Sequence, residues 1–96
     1  MDLMAAITDK HLISFVYEGH PRTAIPAAYG IHNTTGNVVL RAYQIAGTSS
    51  SRSVPLWDLF LVEKMTECVV LDETFTSDPP FYSRGDKHMG EIYCQL

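Results

Sequence analysis

The middle of the sequence contains three arginines and no acidic residue. Residues 19 to 57 contain no Asp or Glu, and their only full charges are Arg22, Arg41 and Arg52. A guanidinium group is planar and donates paired hydrogen bonds that match carboxylates and phosphates. With no acid nearby in the sequence, these side chains must contact distant carboxylates, water or an anionic ligand. We expect an anion-binding surface if folding brings the three together.

Two aromatic residues extend this pattern. In "GNVVLRAYQIAG", residues 36 to 47, Arg41 and Tyr43 are two positions apart and therefore share one face of a strand. Trp57 lies on a later strand, on the face opposite Asp58. Aromatic rings can stack on a nucleobase while an arginine binds its phosphate. We therefore predict the following ligand contacts: Arg22, Arg41, Tyr43, Arg52 and Trp57.

The same residues also allow an interpretation without a small ligand. Arginines on a strand or in the serine-rich loop "GTSSSRS" are often solvated, and Arg22 could pair with Glu18. Trp57 could belong to the hydrophobic core. The alternative function is therefore a protein–protein interaction or assembly module, in which apolar faces around Trp57 pack against a second copy of the chain.

Length and charge limit the choice of ligand. The 96 residues predict a single domain, residues 1–96, and the net charge of −4 is concentrated in residues 58 to 96, which carry −5. This acidic third repels long polyanions, so the sequence favours a nucleotide or a short single-stranded nucleic acid. No apolar run reaches the roughly 20 residues of a membrane span. The start "MDLMAAITDK" lacks the basic region of a signal peptide, so we expect a cytoplasmic protein with no membrane partner.

Catalytic and metal-binding patterns are not recognisable. The four histidines are scattered, and no CxxC or HxxxH motif occurs. Cys68 lies in "ECVVL", which is typical of a buried, inert thiol. The serines of residues 49 to 53 lack the GxSxG setting of a nucleophile elbow. We expect no enzymatic activity, no catalytic residue, no metal site and no cofactor.

Hydrophobic patterning places these residues on strands. Alternation and β-branched content predict five strands, within residues 12–17, 22–31, 38–46, 54–62 and 65–75. Pro26 cannot donate to a ladder, so it must lie at an edge or a bulge. Helical spacing predicts a short helix in "DLMAAITDK" and a last helix within residues 86 to 96. Residues 76 to 86 are expected to form a mobile connector.

Five short strands with helices only at the ends favour a mainly β fold, a small five-stranded antiparallel barrel with short N- and C-terminal helices. A flat sheet covered by two helices is the alternative. Closure would remove the sheet edges that invite aggregation.

The order of the motifs resembles a WYL domain over about residues 7 to 75, with residues 76–96 as connector and helix. The similar segments are "ISFVYEGHPRTAIPAAYGI", "GNVVLRAYQIAG" and "WDLFLVEKMTECVVLDETF", and the tail "YSRGDKHMGEIYCQL" resembles that of short stand-alone members. The resemblance implies an SH3-like or Sm-like barrel and a ligand-sensing or nucleic-acid-binding role in regulation or defence-related signalling. It also implies action through a homo-oligomer or a partner regulatory protein, with ligand contacts at Arg22, Arg41, Tyr43 and Arg52.

Overall fold

The structure, a computed structural model, describes residues 2–49 and 53–96. Arg52, one of the predicted ligand contacts, lies outside the described residues. The predicted mainly β, antiparallel architecture and N-terminal helix are confirmed. The elements are α1 (Leu3–Thr8), β1 (His11–Tyr17), β2 (His20–His32), β3 (Val38–Gly47), β4 (Leu56–Leu61), a 3₁₀ turn (Val62–Lys64), β5 (Thr66–Thr74) and β6 (Met89–Gln95).

The strands form one antiparallel sheet with six members rather than the predicted five. The order is β4-β3-β2-β1-β5, and β6 pairs with β2. Within the described part of the chain, the end strands β4 and β5 do not pair with each other, so the sheet is open. The closed barrel that the sequence predicts is therefore not observed. The described residues also contain no helix long and apolar enough to cross a membrane.

Strand β2 is the centre of the sheet and changes partner along one edge. It pairs with β1 from His20 to Ala24 and with β6 from Ala28 to His32. Its other edge pairs with β3 throughout, with a register shift between Pro26 and Ala28. Pro26 thus lies where the partner changes, and its missing N–H is accommodated by a bulge, as the sequence predicts.

The predicted C-terminal helix is wrong, because residues 89–95 form strand β6. The helical spacing of Met89 and Ile92 is outweighed by Gly90, which disfavours a helix, and by the strand preference of Ile92 and Tyr93. The second half of β2 also offers an open edge whose backbone groups need partners. The Tyr93 ring packs edge-on against Tyr29, with centroids 5.3 Å apart.

Two hydrophobic clusters lie on opposite faces of the sheet. The larger contains α1 and includes Ile13, Phe15, Leu40 and Phe60. The smaller contains Ala28, Val39 and Met89, against which side chains of β4 and β6 pack. The outer face of β3 is therefore partly covered by the C-terminal segment, and this covering creates the cavity described below.

The free edge of β4 is capped by side chains. The Leu59 N–H donates to Asp58 Oδ1 at 2.8 Å, and the Leu61 N–H donates to the Tyr17 hydroxyl at 3.1 Å. Because Tyr17 belongs to β1, its hydroxyl links β1 to β4 without strand pairing. These two N–H groups are satisfied, so this edge offers fewer donors to another strand.

We predict that Gly30→Ala destabilises the fold by about 1 to 3 kcal/mol, since its new methyl group must displace backbone. A Cβ on Gly30 would meet the backbone carbonyl oxygen of Glu91 in β6. The control is Gly90→Ala, where the nearest atom, Cα of Asn33, lies 3.3 Å away and a smaller loss is expected. Urea unfolding followed by circular dichroism measures both. Equal stability of Gly30→Ala and wild type would contradict the β2–β6 pairing.

Candidate functional site: an aromatic and cationic cavity

A cavity of about 320 Å³ lies between the outer face of β3 and β4 and residues 81–88. Its lining combines aromatic rings with charged side chains that come from parts of the chain far apart in sequence. The residues are Ala28, Arg41, Trp57, Phe81, Tyr82, Ser83, Gly85, Asp86, Lys87 and His88. This combination of apolar surface and a few converging polar groups is typical of small-molecule sites.

Arg41 is held at the cavity by an ion pair with the C-terminal segment. Its Nε donates to Asp86 Oδ2 at 2.6 Å, and its Nη2 lies 3.4 Å from Asp86 Oδ1. The same Nη2 lies 2.9 Å from Nδ1 of His88. Arg41 therefore has the distant carboxylate that its own acid-free segment could not supply, and its charge is partly compensated.

The environment of Asp86 favours its ionised form. Burial alone would raise the pKa of this carboxyl, but hydrogen bonds from Arg41 and from the His88 N–H outweigh that effect. The positive charge of Arg41 acts in the same direction, so the pKa of Asp86 lies below its ordinary value. The cavity thus contains a stable carboxylate beside its arginine.

The rings of Trp57 and Tyr82 line the aromatic side of the cavity, and the Tyr43 ring packs against Trp57 outside the lining. The Tyr43 and Trp57 centroids are 5.2 Å apart, and those of Trp57 and Tyr82 are 6.4 Å apart with the rings nearly parallel. The Trp57 Nε1–H donates to the Pro80 carbonyl at 2.8 Å, and the Tyr82 hydroxyl donates to the Leu96 carbonyl at 2.9 Å. Burial raises the pKa of the Tyr82 phenol, so it remains a neutral donor.

Residues 76 to 86 contain no helix or strand, but they are anchored rather than free. Besides the bonds of Trp57, Tyr82 and Arg41, the Gly85 N–H donates to Gln95 Oε1 at 2.9 Å. Arg84 Nη1 donates to the Leu96 carbonyl at the same distance. The sequence predicts a mobile connector here, whereas in the structure residues 81 to 86 contribute to one wall of the cavity.

Arg41, Tyr43 and Trp57 share the outer face of β3 and β4, and the register pairs Tyr43 directly with Trp57. Of these three predicted contacts, Arg41 and Trp57 line the cavity and Tyr43 does not. The residues of the opposite wall were not predicted from the sequence: Phe81, Tyr82, Asp86, Lys87 and His88. Their signal was the aromatic and charged composition of "FYSRGDKH" after a proline pair.

Arg22 does not join this site, so the expected common surface for the arginines is not formed. It is only 2% exposed and lies on the opposite face of the sheet, where Nη1 donates to Gln44 Oε1 and Nη2 to the Tyr17 carbonyl, each at 3.2 Å. Its guanidinium carbon lies 5.4 Å from the ring centres of Tyr17 and Phe60. Two aromatic faces and two oxygens replace a carboxylate here. The pairing with Glu18 is not observed.

In the part of the chain that the structure describes, no group of three or more His, Cys, Asp or Glu side chains is arranged to hold a metal ion. Comparison of the chain with protein-family models, with curated proteins and with solved structures found no match.

We predict that Arg22→Ala lowers the free energy of unfolding by about 2 to 4 kcal/mol, because it opens a cavity beside two rings and leaves two acceptors unpaired. The folded fraction should keep any ligand affinity of the wild type, since Arg22 lies on the other face. Chemical unfolding together with titration of the folded protein measures both. Normal stability with lost binding would contradict this placement.

We predict that Asp86→Asn is less stable than wild type by about 1 to 3 kcal/mol at neutral pH, since it weakens hydrogen bonds between charged groups. The folded pKa of Asp86 lies below its unfolded value of about 4, so the stabilisation is present above that pH. It is lost as the pH falls through the folded pKa. Unfolding curves at several pH values should therefore converge for the two proteins in acid, and a constant difference down to pH 2 would be inconsistent with the ion pair.

Proposed function

We propose that this protein is a small binding module for an anionic ligand that carries a planar ring, with a nucleotide as the first choice. The observation that carries the proposal is the position of Arg41 beside the rings of Trp57 and Tyr82 in a single cavity, with the Tyr43 ring packed against Trp57. A ring can pack on the aromatic side while its phosphate meets the cationic side. The role is ligand sensing or binding rather than catalysis.

The charges around the cavity support an anion despite the presence of Asp86. Within the described residues, Arg41 uses Nε and Nη2 for its contacts, and Nη1 can donate to a phosphate oxygen. Lys87 is exposed at the same cavity and adds a second positive charge. Asp86 holds the guanidinium in place, so little side-chain entropy is lost when a ligand binds.

The finer fold assignment is part of the same proposal. The order α1–β1–β2–β3–β4–3₁₀ turn–β5 and the Tyr17 bond between β1 and β4 support an SH3-like or Sm-like arrangement of the WYL type. In this interpretation β6 is an addition, and residues 81–88 before it complete the ligand cavity. Regulation or defence-related signalling through a partner protein would then be the output of ligand binding.

Self-assembly through β5 is the second candidate. This strand ends the sheet, and Val69 is 51% exposed. However, an antiparallel pair of β5 strands centred on Val70 would place Glu67 opposite Glu73 of the second copy, and like charges opposite each other are destabilising. The positive φ of Glu67 and register shifts along β5 also bend this edge. Ligand binding is therefore the better-supported function at neutral pH.

We predict that adenosine monophosphate quenches or shifts the fluorescence of Trp57, the only tryptophan, and raises the melting temperature. Arg41→Gln should weaken this binding at least tenfold, because the phosphate loses its main donor. Asp86→Asn removes the negative charge beside the phosphate, while its amide oxygen can still accept a hydrogen bond from Arg41 and hold the guanidinium, so it should bind as well as wild type or better. Binding should also weaken with added salt.

The matched charge control is Lys64→Gln in the 3₁₀ turn, which should leave affinity unchanged. Equal losses in Arg41→Gln and Asp86→Asn would mean that the ion pair only maintains the fold. If no mononucleotide and no short oligonucleotide changes the fluorescence or the melting temperature of the wild-type protein, nucleotides are excluded as ligands. An oligomer that light scattering shows to be insensitive to salt would then favour assembly.

A further inference from the structure

Phe81 has an unusual combination of exposure and backbone conformation. Its side chain is 95% exposed although it borders the cavity, and its φ is +64°. The left-handed region is disfavoured for bulky side chains by about 1 to 2 kcal/mol. An exposed aromatic ring in a strained conformation is an arrangement that folding alone does not favour, and such strain tends to occur at functional sites.

The other residues with positive φ provide a contrast. Among the described non-glycine residues they are Lys10, Glu18 and Glu67. All three are charged and lie in turns or at a bulge, where a polar side chain gains hydration. Phe81 gains no such compensation, so its conformation needs another explanation.

The residues on both sides of Phe81 are anchored by hydrogen bonds. The carbonyl of Pro80 accepts from the Trp57 indole, and the hydroxyl of Tyr82 donates to the Leu96 carbonyl. The Tyr82 ring also lies nearly parallel to Trp57. Phe81 thus lies between two anchored residues, at the border of the cavity.

We propose that Phe81 forms the outer half of an aromatic clamp, packing on one face of a planar ring whose other side rests against Trp57 and Tyr82. This inference rests on the proposed function and narrows it to one ring system with one phosphate, a nucleoside monophosphate. Ligand binding would bury the exposed Phe81 ring, and the strained backbone conformation would position that ring for binding.

The size and charge of the cavity support a monophosphate. A volume of about 320 Å³ accommodates one nucleotide rather than several. Arg41 and Lys87 contribute two positive charges, and Asp86 contributes one negative charge beside them. Additional phosphates or further nucleotides would bring more negative charge toward Asp86 and the acidic remainder of the C-terminal third.

The test compares Phe81→Gly with Glu18→Gly, because both relieve a positive φ but only the first removes a cavity residue. Phe81→Gly should fold with an unchanged or higher melting temperature and bind adenosine monophosphate about tenfold more weakly, since a stacking partner is lost. Glu18→Gly should keep wild-type affinity, and Phe81→Tyr should retain it because the ring remains. Titration calorimetry and Trp57 fluorescence report the affinities.

Wild-type affinity in Phe81→Gly would overturn the clamp while leaving the proposed function intact. Tighter binding of adenosine triphosphate or of a short single-stranded oligonucleotide than of the monophosphate would overturn the ligand class. A change of oligomeric mass in Phe81→Gly would instead assign the ring to a contact between copies. Absence of any nucleotide response in wild type, with Arg41→Gln indistinguishable from it, would overturn the proposed function and the clamp together.

Discussion

The backbone hydrogen bonds of β2 fix the positions of three other strands. One edge serves β3, while the other serves β1 before Pro26 and β6 after Ala28. Because a strand has only two edges, β6 can join the sheet only where β1 has left it, and the bulge marks this point. The C-terminal segment is thereby drawn across the outer face of β3, and it carries Tyr82 and Asp86 to the cavity. The candidate site is thus a consequence of how one long strand distributes its donors and acceptors.

Strand alternation explains why two arginines from the acid-poor segment lie in different environments. Gln44 and Arg41 are an odd number of residues apart on β3, so their side chains point to opposite faces. Arg22 follows Gln44 into the core, where aromatic faces and uncharged oxygens surround it. Arg41 emerges on the outer face and meets a carboxylate 45 residues further along. The Arg22 guanidinium therefore packs within the core, whereas the Arg41 guanidinium stays near solvent, where it can bind a ligand.

Local patterns accounted for most of the sheet, but they wrongly predicted that it closes and that its last strand is a helix. β-Branched runs and turn residues located β1 to β5, and the missing donor of Pro26 located the bulge. The path of the C-terminal segment depends on which edge of β2 is open, and this is a tertiary property that spacing alone cannot reveal. The same applies to the contact between Arg41 and Asp86. The burial of Gln44 is a tertiary property as well, because its amide oxygen accepts from Arg22 and its amide nitrogen donates to the Ala46 and Thr48 carbonyls.

The two ends of the open sheet are protected by different means. At β4, the Asp58 carboxylate and the Tyr17 hydroxyl occupy backbone donors. At β5, the positive φ of Glu67 and the register shifts toward β1 interrupt the regular spacing of donors and acceptors. A neighbouring strand would therefore find occupied donors at one end of the sheet and an irregular backbone at the other. Extension of the sheet is hindered at both ends by backbone geometry and hydrogen bonding.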